Sequence, residues 1–391
     1  MNISKLKVIV VSLAALAVAA ACALPNSRVS SPAMSVSVSH DGQYVISSHR
    51  DNKVIVWDIE ERESRTLSTS ANIYSAGYSI TDQNYYWQDL DGRLHISGHS
   101  NRFYPEDDLY SHALDGSQSL FAYSNETWHI VVIQDGVESP LKMDGRGPGF
   151  PGVGKVVNLE LSSDGSRLIS AGRGVTEIDD IAISGNPAVA PERRRSLYAG
   201  TVIWDLGSLE PIAKLSGHSA KTHATFSPDG NYVVSVDENG LGFVWDAYTG
   251  DKEYALSHLN FGEYVGGHSL GSQKNWDDSG LHLKWPDDYP EDFNARAMVA
   301  VRFVSETEFM VLYTYSRYAT LYQLGDPHAR KVLDLGNYPH PSTGSYARNT
   351  SIASAPEAGI LVTGQQSGNG INVYRFDEES KELEKIWAPR R

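Results

Sequence analysis

Apolar and polar positions alternate along this chain in short runs, and turn residues separate the runs. The clearest stretch is Thr222-His223-Ala224-Thr225-Phe226, then Ser227-Pro228-Asp229-Gly230, then Tyr232-Val233-Val234-Ser235-Val236. Alternation with period two puts every second side chain on one face of a strand. Proline presets φ for a turn, and Asp-Gly suits a tight hairpin. A second turn, Asp237-Glu238-Asn239-Gly240, leads into Phe243-Val244-Trp245, and a third, Tyr248-Thr249-Gly250, into Glu253-Tyr254-Ala255-Leu256. The pattern predicts four strands joined by short hairpins, which is one antiparallel sheet.

The unit repeats. Its first turn recurs at Asp41-Gly42, Asp115-Gly116 and Asp164-Gly165, with looser versions at Thr81-Asp82, Ser305-Glu306-Thr307 and Pro356-Glu357-Ala358-Gly359. Its third strand recurs at Trp57-Asp58 and Trp204-Asp205, and with Tyr for Trp at Tyr322 and Tyr374. The weakest units, the second and third, rest on Tyr85-Tyr86-Trp87 and on Trp128-His129-Ile130-Val131-Val132. A repeat of about forty residues that cannot bury its apolar face alone must stack on its neighbours. Seven such units fit between about Ala33 and Ala388.

The Trp-Asp pairs, together with Gly217-His218 upstream of Trp245, resemble the WD40 repeat family over nearly the whole chain after its leader. The resemblance implies an all-β fold, a seven-bladed β-propeller of four-stranded antiparallel blades over residues 34–391. It also implies a hydrogen-bonded staple in each blade, built from the His, a Ser or Thr, an Asp in the second turn and the Trp. On this chain the staple residues are Trp57 and Asp51 in blade one, Trp204 in blade four, and His218 and Trp245 in blade five. Asn239 stands where blade five's Asp is expected, and blade one has no upstream Gly-His. How the ring closes stays open, because an unsealed sheet edge is a liability. Whether Ser27 to Val36 adds a sealing strand is not readable from the pattern.

The leader carries the one cysteine, Cys22. Lys5 and Lys7 precede an apolar run from Val8 to Ala20, which is short for a membrane span of about 20 residues. This is the layout of a secretory signal peptide over residues 1–21. Its end, Ala19-Ala20-Ala21-Cys22, resembles the bacterial lipobox, with Ala where that family favours Leu. The resemblance implies cleavage before Cys22, a diacylglycerol thioether on its sulfur and acylation of the new terminus, such as with palmitate. An ordinary signal peptide with cleavage after Ala21 is the alternative. Ala23 follows, not the Asp that retains such proteins at the inner membrane in enteric bacteria, so an outer-membrane address facing the periplasm is expected. Residues 22–33 read as a lipidated tether.

The formal charge of −15 argues against a nucleic-acid partner, since an acidic surface repels phosphate. Two insertions interrupt the repeat. One, near 175–199, lies between strands two and three of blade four and ends in Arg193-Arg194-Arg195. The other, near 260–294, joins blades five and six. The second is rich in aromatic and acidic residues, and Trp276, Trp285 and Tyr289 with Asp287 and Asp288 are its candidate partner-binding residues. Those aromatics could equally pack the insertion on the ring. Asp144-Gly145-Arg146-Gly147-Pro148-Gly149 lacks the Lys-Ser/Thr of a phosphate loop and reads as a connection. The spacing Gly-x-Ser-x-Gly occurs at Gly267-His268-Ser269-Leu270-Gly271, inside the second insertion and with no alternating strand pattern leading into it as a nucleophile elbow requires, and there is no His-Glu-x-x-His. Nothing in the spacing of the histidines or of the Asp pairs indicates a metal or other cofactor. The expectation is a lipid-anchored envelope protein that binds protein partners as a scaffold or accessory subunit, without catalysis. The alternative is a propeller enzyme or a small-ligand or glycan binder in the periplasm.

Overall fold

The computed structural model describes residues 31–80, 84–98, 109, 111–115, 119–125, 129–141, 156–172, 200–218, 220–238, 240–256, 298–313, 318–336, 349–365 and 370–389. Contiguous stretches of chain form seven antiparallel sheets in sequence order. Blade one is β1 (Ala33–Val38), β2 (Tyr44–His49), β3 (Val54–Asp58) and β4 (Glu63–Ser68). Blade two has three strands among the described residues, β5 (Gly77–Tyr78), β6 (Tyr85–Gln88) and β7 (Leu94–Ile96). Blade three is β8 (Ser111–Leu114), β9 (Leu120–Ser124), β10 (Ile130–Gln134) and β11 (Val137–Pro140). Blade four is β12 (Val156–Leu161), β13 (Arg167–Gly172), β14 (Thr201–Asp205) and β15 (Glu210–Leu215). Blade five is β16 (Thr222–Phe226), β17 (Tyr232–Asp237), β18 (Gly242–Asp246) and β19 (Lys252–Ala255). Blade six is β20 (Met298–Phe303), β21 (Glu308–Tyr313), β22 (Tyr318–Gln323) and β23 (Lys331–Asp334). Blade seven is β24 (Asn349–Ala355), β25 (Ile360–Gln365), β26 (Ile371–Asp377) and β27 (Glu382–Trp387).

The core is divided. Seven apolar clusters each lie between two adjacent blades, including blades seven and one. That is the expected result when each sheet has two faces to cover and meets a neighbour on both. The third-strand aromatic always packs on the preceding blade. Trp57 lies against blade seven, Trp204 against blade three, Trp245 against blade four, and Tyr322 against blade five.

The ring closes through side chains, not through a shared strand. Ala33–Val38 is the innermost strand of blade one, paired with β2. It does not extend blade seven, whose fourth strand is β27, with Leu383 opposite Phe376. Val36, Val38 and Ile55 pack with Ile360, Val362 and Val373 across the seam. There Trp57 meets Trp387 edge to face at 5.7 Å. Gly42 sits in the same seam with φ +70°, and a Cβ there would come 2.5 Å from the Ala358 side chain. Glycine is required on both counts.

Antiparallel order gives the ring two distinct faces. Turns between first and second strands, and between third and fourth, lie on what we call the lower face. Connections between second and third strands, and between blades, lie on the upper face. The residues that bound both insertions, Gly172 and Gly200 for one and Leu256 and Met298 for the other, are therefore on the upper face.

Candidate functional site: blade staples and the central channel

A buried indole N–H must find an acceptor, and in three blades the acceptor is a serine on the second strand. Trp57 Nε1 donates to Ser47 Oγ at 2.7 Å, Trp204 Nε1 to Ser170 Oγ at 2.8 Å, and Trp245 Nε1 to Ser235 Oγ at 2.7 Å. Each serine faces the same side as its tryptophan because the two lie one alternation apart across the ladder. Val233 is opposite Trp245, and Ser235 is opposite Phe243.

In blade five the network continues inward. Ser235 Oγ lies 2.7 Å from His218 Nε2, and His218 Nδ1 lies 3.4 Å from the Asp237 carboxylate, with both side chains fully buried. Asp237 Oδ1 also accepts the Leu241 N–H at 2.9 Å. The acid is thus supplied by the last residue of β17, not from position 239. Sequence reasoning placed the acid by its distance from the turn. The strand places it two residues beyond the serine, on the same face.

Blade one uses the same position differently. His49, two residues beyond Ser47, takes the place of the acid. Ser47 Oγ is 2.8 Å from His49 Nε2, and His49 Nδ1 is 3.1 Å from the Ser31 carbonyl, so Nδ1 donates and Nε2 accepts. Burial holds His49 below its usual pKa, which keeps the ring neutral as this arrangement needs. Asp51, expected in this network, lies past the end of β2. It pairs with Lys53 at 2.6 Å on the partly exposed turn. Ser47, His49, Ser170 and Asp237 were not found from sequence. In blades one and five the usable signal was a serine followed two residues later by His49 or Asp237 at the end of the second strand; Ser170 is followed by Gly172 and carries no such signal.

The first strands of all seven blades line a central cavity of about 360 Å³. One carboxylate ties three of them together. Glu160 on β12 accepts from Thr225 Oγ1 at 2.8 Å and from the Phe226 N–H at 2.9 Å, both on β16, and lies 3.4 Å from Arg302 Nη1 on β20. Arg302 Nη1 also donates to the Val301 carbonyl at 2.9 Å. Next to it, His223 Nδ1 is 3.4 Å from the Val301 nitrogen. Burial, then the charges of Arg302 and Lys221, hold His223 well below its usual pKa, consistent with Nδ1 as an acceptor. On the opposite wall, Tyr86 donates to His112 Nδ1 at 2.7 Å, and His112 Nε2 donates to the Tyr74 carbonyl at 2.7 Å. Burial pushes this histidine down to about 4. The cavity reaches the lower face past His40, Ser163, Pro228 and Glu357.

Cys22 lies outside the described residues, as do Trp276, Trp285, Tyr289, Asp287 and Asp288. Residues 26–58 and 209–246 match the family model of the WD domain, G-beta repeat. No curated protein matches the chain. The two matched stretches and the seven-bladed ring make the chain similar to WD40 β-propellers.

Proposed function

We propose that this WD40-type β-propeller is a lipid-anchored envelope protein that acts by binding protein partners, as a scaffold or accessory subunit. The match to the WD domain, G-beta repeat carries the binding half of this reading, since WD40 propellers commonly bind proteins. The position of Cys22 directly after Ala19-Ala20-Ala21 supports the anchor. Two or more acyl chains exceed the threshold for stable membrane attachment. The outer membrane, with the ring in the periplasm, is the proposed address.

Within this reading the 260–294 insertion contributes to the binding surface through Trp276, Trp285 and Tyr289, flanked by Asp287 and Asp288. Interface energy concentrates in such aromatics, and truncating a true anchor costs about 2 kcal/mol or more. The test is capture of partners from envelope extract by the full lipidated chain, repeated after a short Gly-Ser hairpin replaces residues 260–294. Loss of partners with unchanged β-sheet circular dichroism supports the reading. Full retention of every partner moves the binding surface elsewhere. Normal palmitate incorporation in Cys22→Ser removes the anchor from the proposal.

A second reading, a small-ligand binder or enzyme, is favoured by the central cavity with Glu160 and Arg302 on its wall. A thermal-shift screen with glycans and lactones tests it. A shift that disappears in Arg302→Met supports the channel as the site, and no shift with any compound counts against it.

A further inference from the structure

The chain enters the ring at a fixed point on the upper face. Ser31 is the first described residue, and three groups of blade one hold it and its neighbour. His49 Nδ1 donates to the Ser31 carbonyl, the Asp51 N–H donates to Ser31 Oγ at 3.0 Å, and the Arg50 N–H donates to the Pro32 carbonyl at 3.0 Å. The first of these is the last link of the buried chain that begins at Trp57 Nε1. The blade-one staple therefore also pins the place where the N-terminal segment leaves the fold.

Among the described residues the two faces differ in charge. On the lower face the turns expose Glu60, Glu61, Glu306, Glu357, Glu378 and Glu379 against Arg62 and Arg330. On the upper face the described charges are mixed. Lys53 pairs with Asp51, Lys221 pairs with Glu238 at 3.2 Å, and Arg50 is exposed. An anionic bilayer surface repels carboxylates within a Debye length of about 8 Å and attracts nearby Lys and Arg.

Chain length sets a bound as well. Fully extended, the chain from Cys22 to Ser31 reaches about 30 Å. Running over the outside of a blade to the lower face would take about 14 Å across four strands and about 17–20 Å down a strand, a path that uses the whole of that reach, whereas the upper face needs none of it.

We infer that the anchored ring stands with its upper face toward the bilayer and its acidic lower face, with the channel mouth, away from it. The inference rests on the lipid anchor proposed above. A partner that meets the upper face is then held at the membrane surface, and one that meets the channel mouth comes from the aqueous side.

The test uses the full lipidated chain in vesicles of phosphatidylethanolamine and phosphatidylglycerol carrying a headgroup-linked energy acceptor. Arg50→Cys and Glu61→Cys place the same donor dye on opposite faces of one blade, and neither side chain makes a contact the fold needs. Equal thermal midpoints for the two variants and the parent establish that both are folded. Because the two sites are separated by roughly the length of one strand, about 17–20 Å, transfer from position 50 should exceed that from position 61 by about twofold. Omitting phosphatidylglycerol should narrow the difference without reversing it. Flotation of the protein with the vesicles, together with equal or stronger transfer from position 61, overturns the orientation and leaves the anchor standing. Failure of the protein to float, or flotation of Cys22→Ser equal to the parent, overturns the anchor and the orientation with it.

Discussion

Blades five and six sit side by side, share one apolar cluster and follow the same strand plan, yet they solve one buried position in opposite ways. In blade five Trp245 carries a donor, and Ser235, His218 and Asp237 extend a polar chain behind it. In blade six Tyr322 stands at the Trp position and stacks on Phe309 at 5.5 Å. The residue in register with Ser235 is Val311, fully buried. The indole N–H and its serine acceptor are thus both absent from these two positions in blade six, where a buried phenol and a valine stand instead. Blade seven lies between the two, with Tyr374 opposite Leu361 and Gln365 Nε2 donating to Thr363 Oγ1 at 2.9 Å. The contrast shows that the Trp–Ser pair is a matched unit. Either half alone would leave a buried polar group unpaired, which costs about 1–3 kcal/mol.

The largest expected effect comes from removing the donor and its bulk together. Trp245→Ala should lower stability by about 3–5 kcal/mol in chemical denaturation, the range for a large aromatic truncated in a core. An unchanged midpoint would mean that Trp245 is not buried between blades four and five.

Acid offers a second way to separate polar interior from apolar interior. His112, His49 and His223 all have folded pKa values below the unfolded 6.5, because burial disfavours the charged ring. As pH falls from about 6.5 toward 4, the unfolded chain binds protons that the folded chain refuses. Stability is therefore lost across that window. For His112, at about 4 in the fold, the loss is about 3 kcal/mol. Denaturation curves at pH 7.5 and 4.5 measure it. A His112→Gln variant should show the shallower dependence, and an identical slope would remove His112 from the account.

Ser235→Ala keeps the core volume nearly intact and strands the indole N–H, so a loss of about 1–3 kcal/mol is expected. Rebuilding blade five on the plan of blade six sharpens the comparison. Ser235→Val with Trp245→Tyr should cost less than the sum of the two single changes by about 1 kcal/mol, as neighbours that share an interaction do. Strict additivity would show that the two side chains are independent. The smallest effect belongs to the acid that sequence reasoning chose. Asp51→Asn removes a partly exposed ion pair and should cost under about 1 kcal/mol, well short of any change at Asp237.

The legible parts of this protein are those fixed by short sequence distances. Asp41-Gly42 and Asp229-Gly230 announce their turns because the Asp carboxylate accepts from a serine two residues earlier and from a backbone N–H two residues later, at 2.5–3.0 Å. Trp57, Trp204 and Trp245 are visible because each ends an apolar strand before an Asp-led turn. His49 and Asp237 were missed for a different reason. Their role depends on which face of the strand they occupy, and that is counted from the serine and not from the neighbouring turn. Glu160, Arg302 and His112 gave no signal at all, since their partners lie in other blades, up to 142 positions away for the first pair.

By itself the sequence determined the repeat, the hairpins, the Trp positions and so the seven-bladed ring, because each of these follows from strand period and turn chemistry within one unit. Only the tertiary structure decided how blade seven meets blade one, which serine each tryptophan finds, and which side chains converge in the channel. It also decided that the chain enters on the face away from the exposed glutamates. Those features are contacts between units, and a repeating pattern that gives every unit the same strands leaves the identity of its partners to the packing of the closed ring.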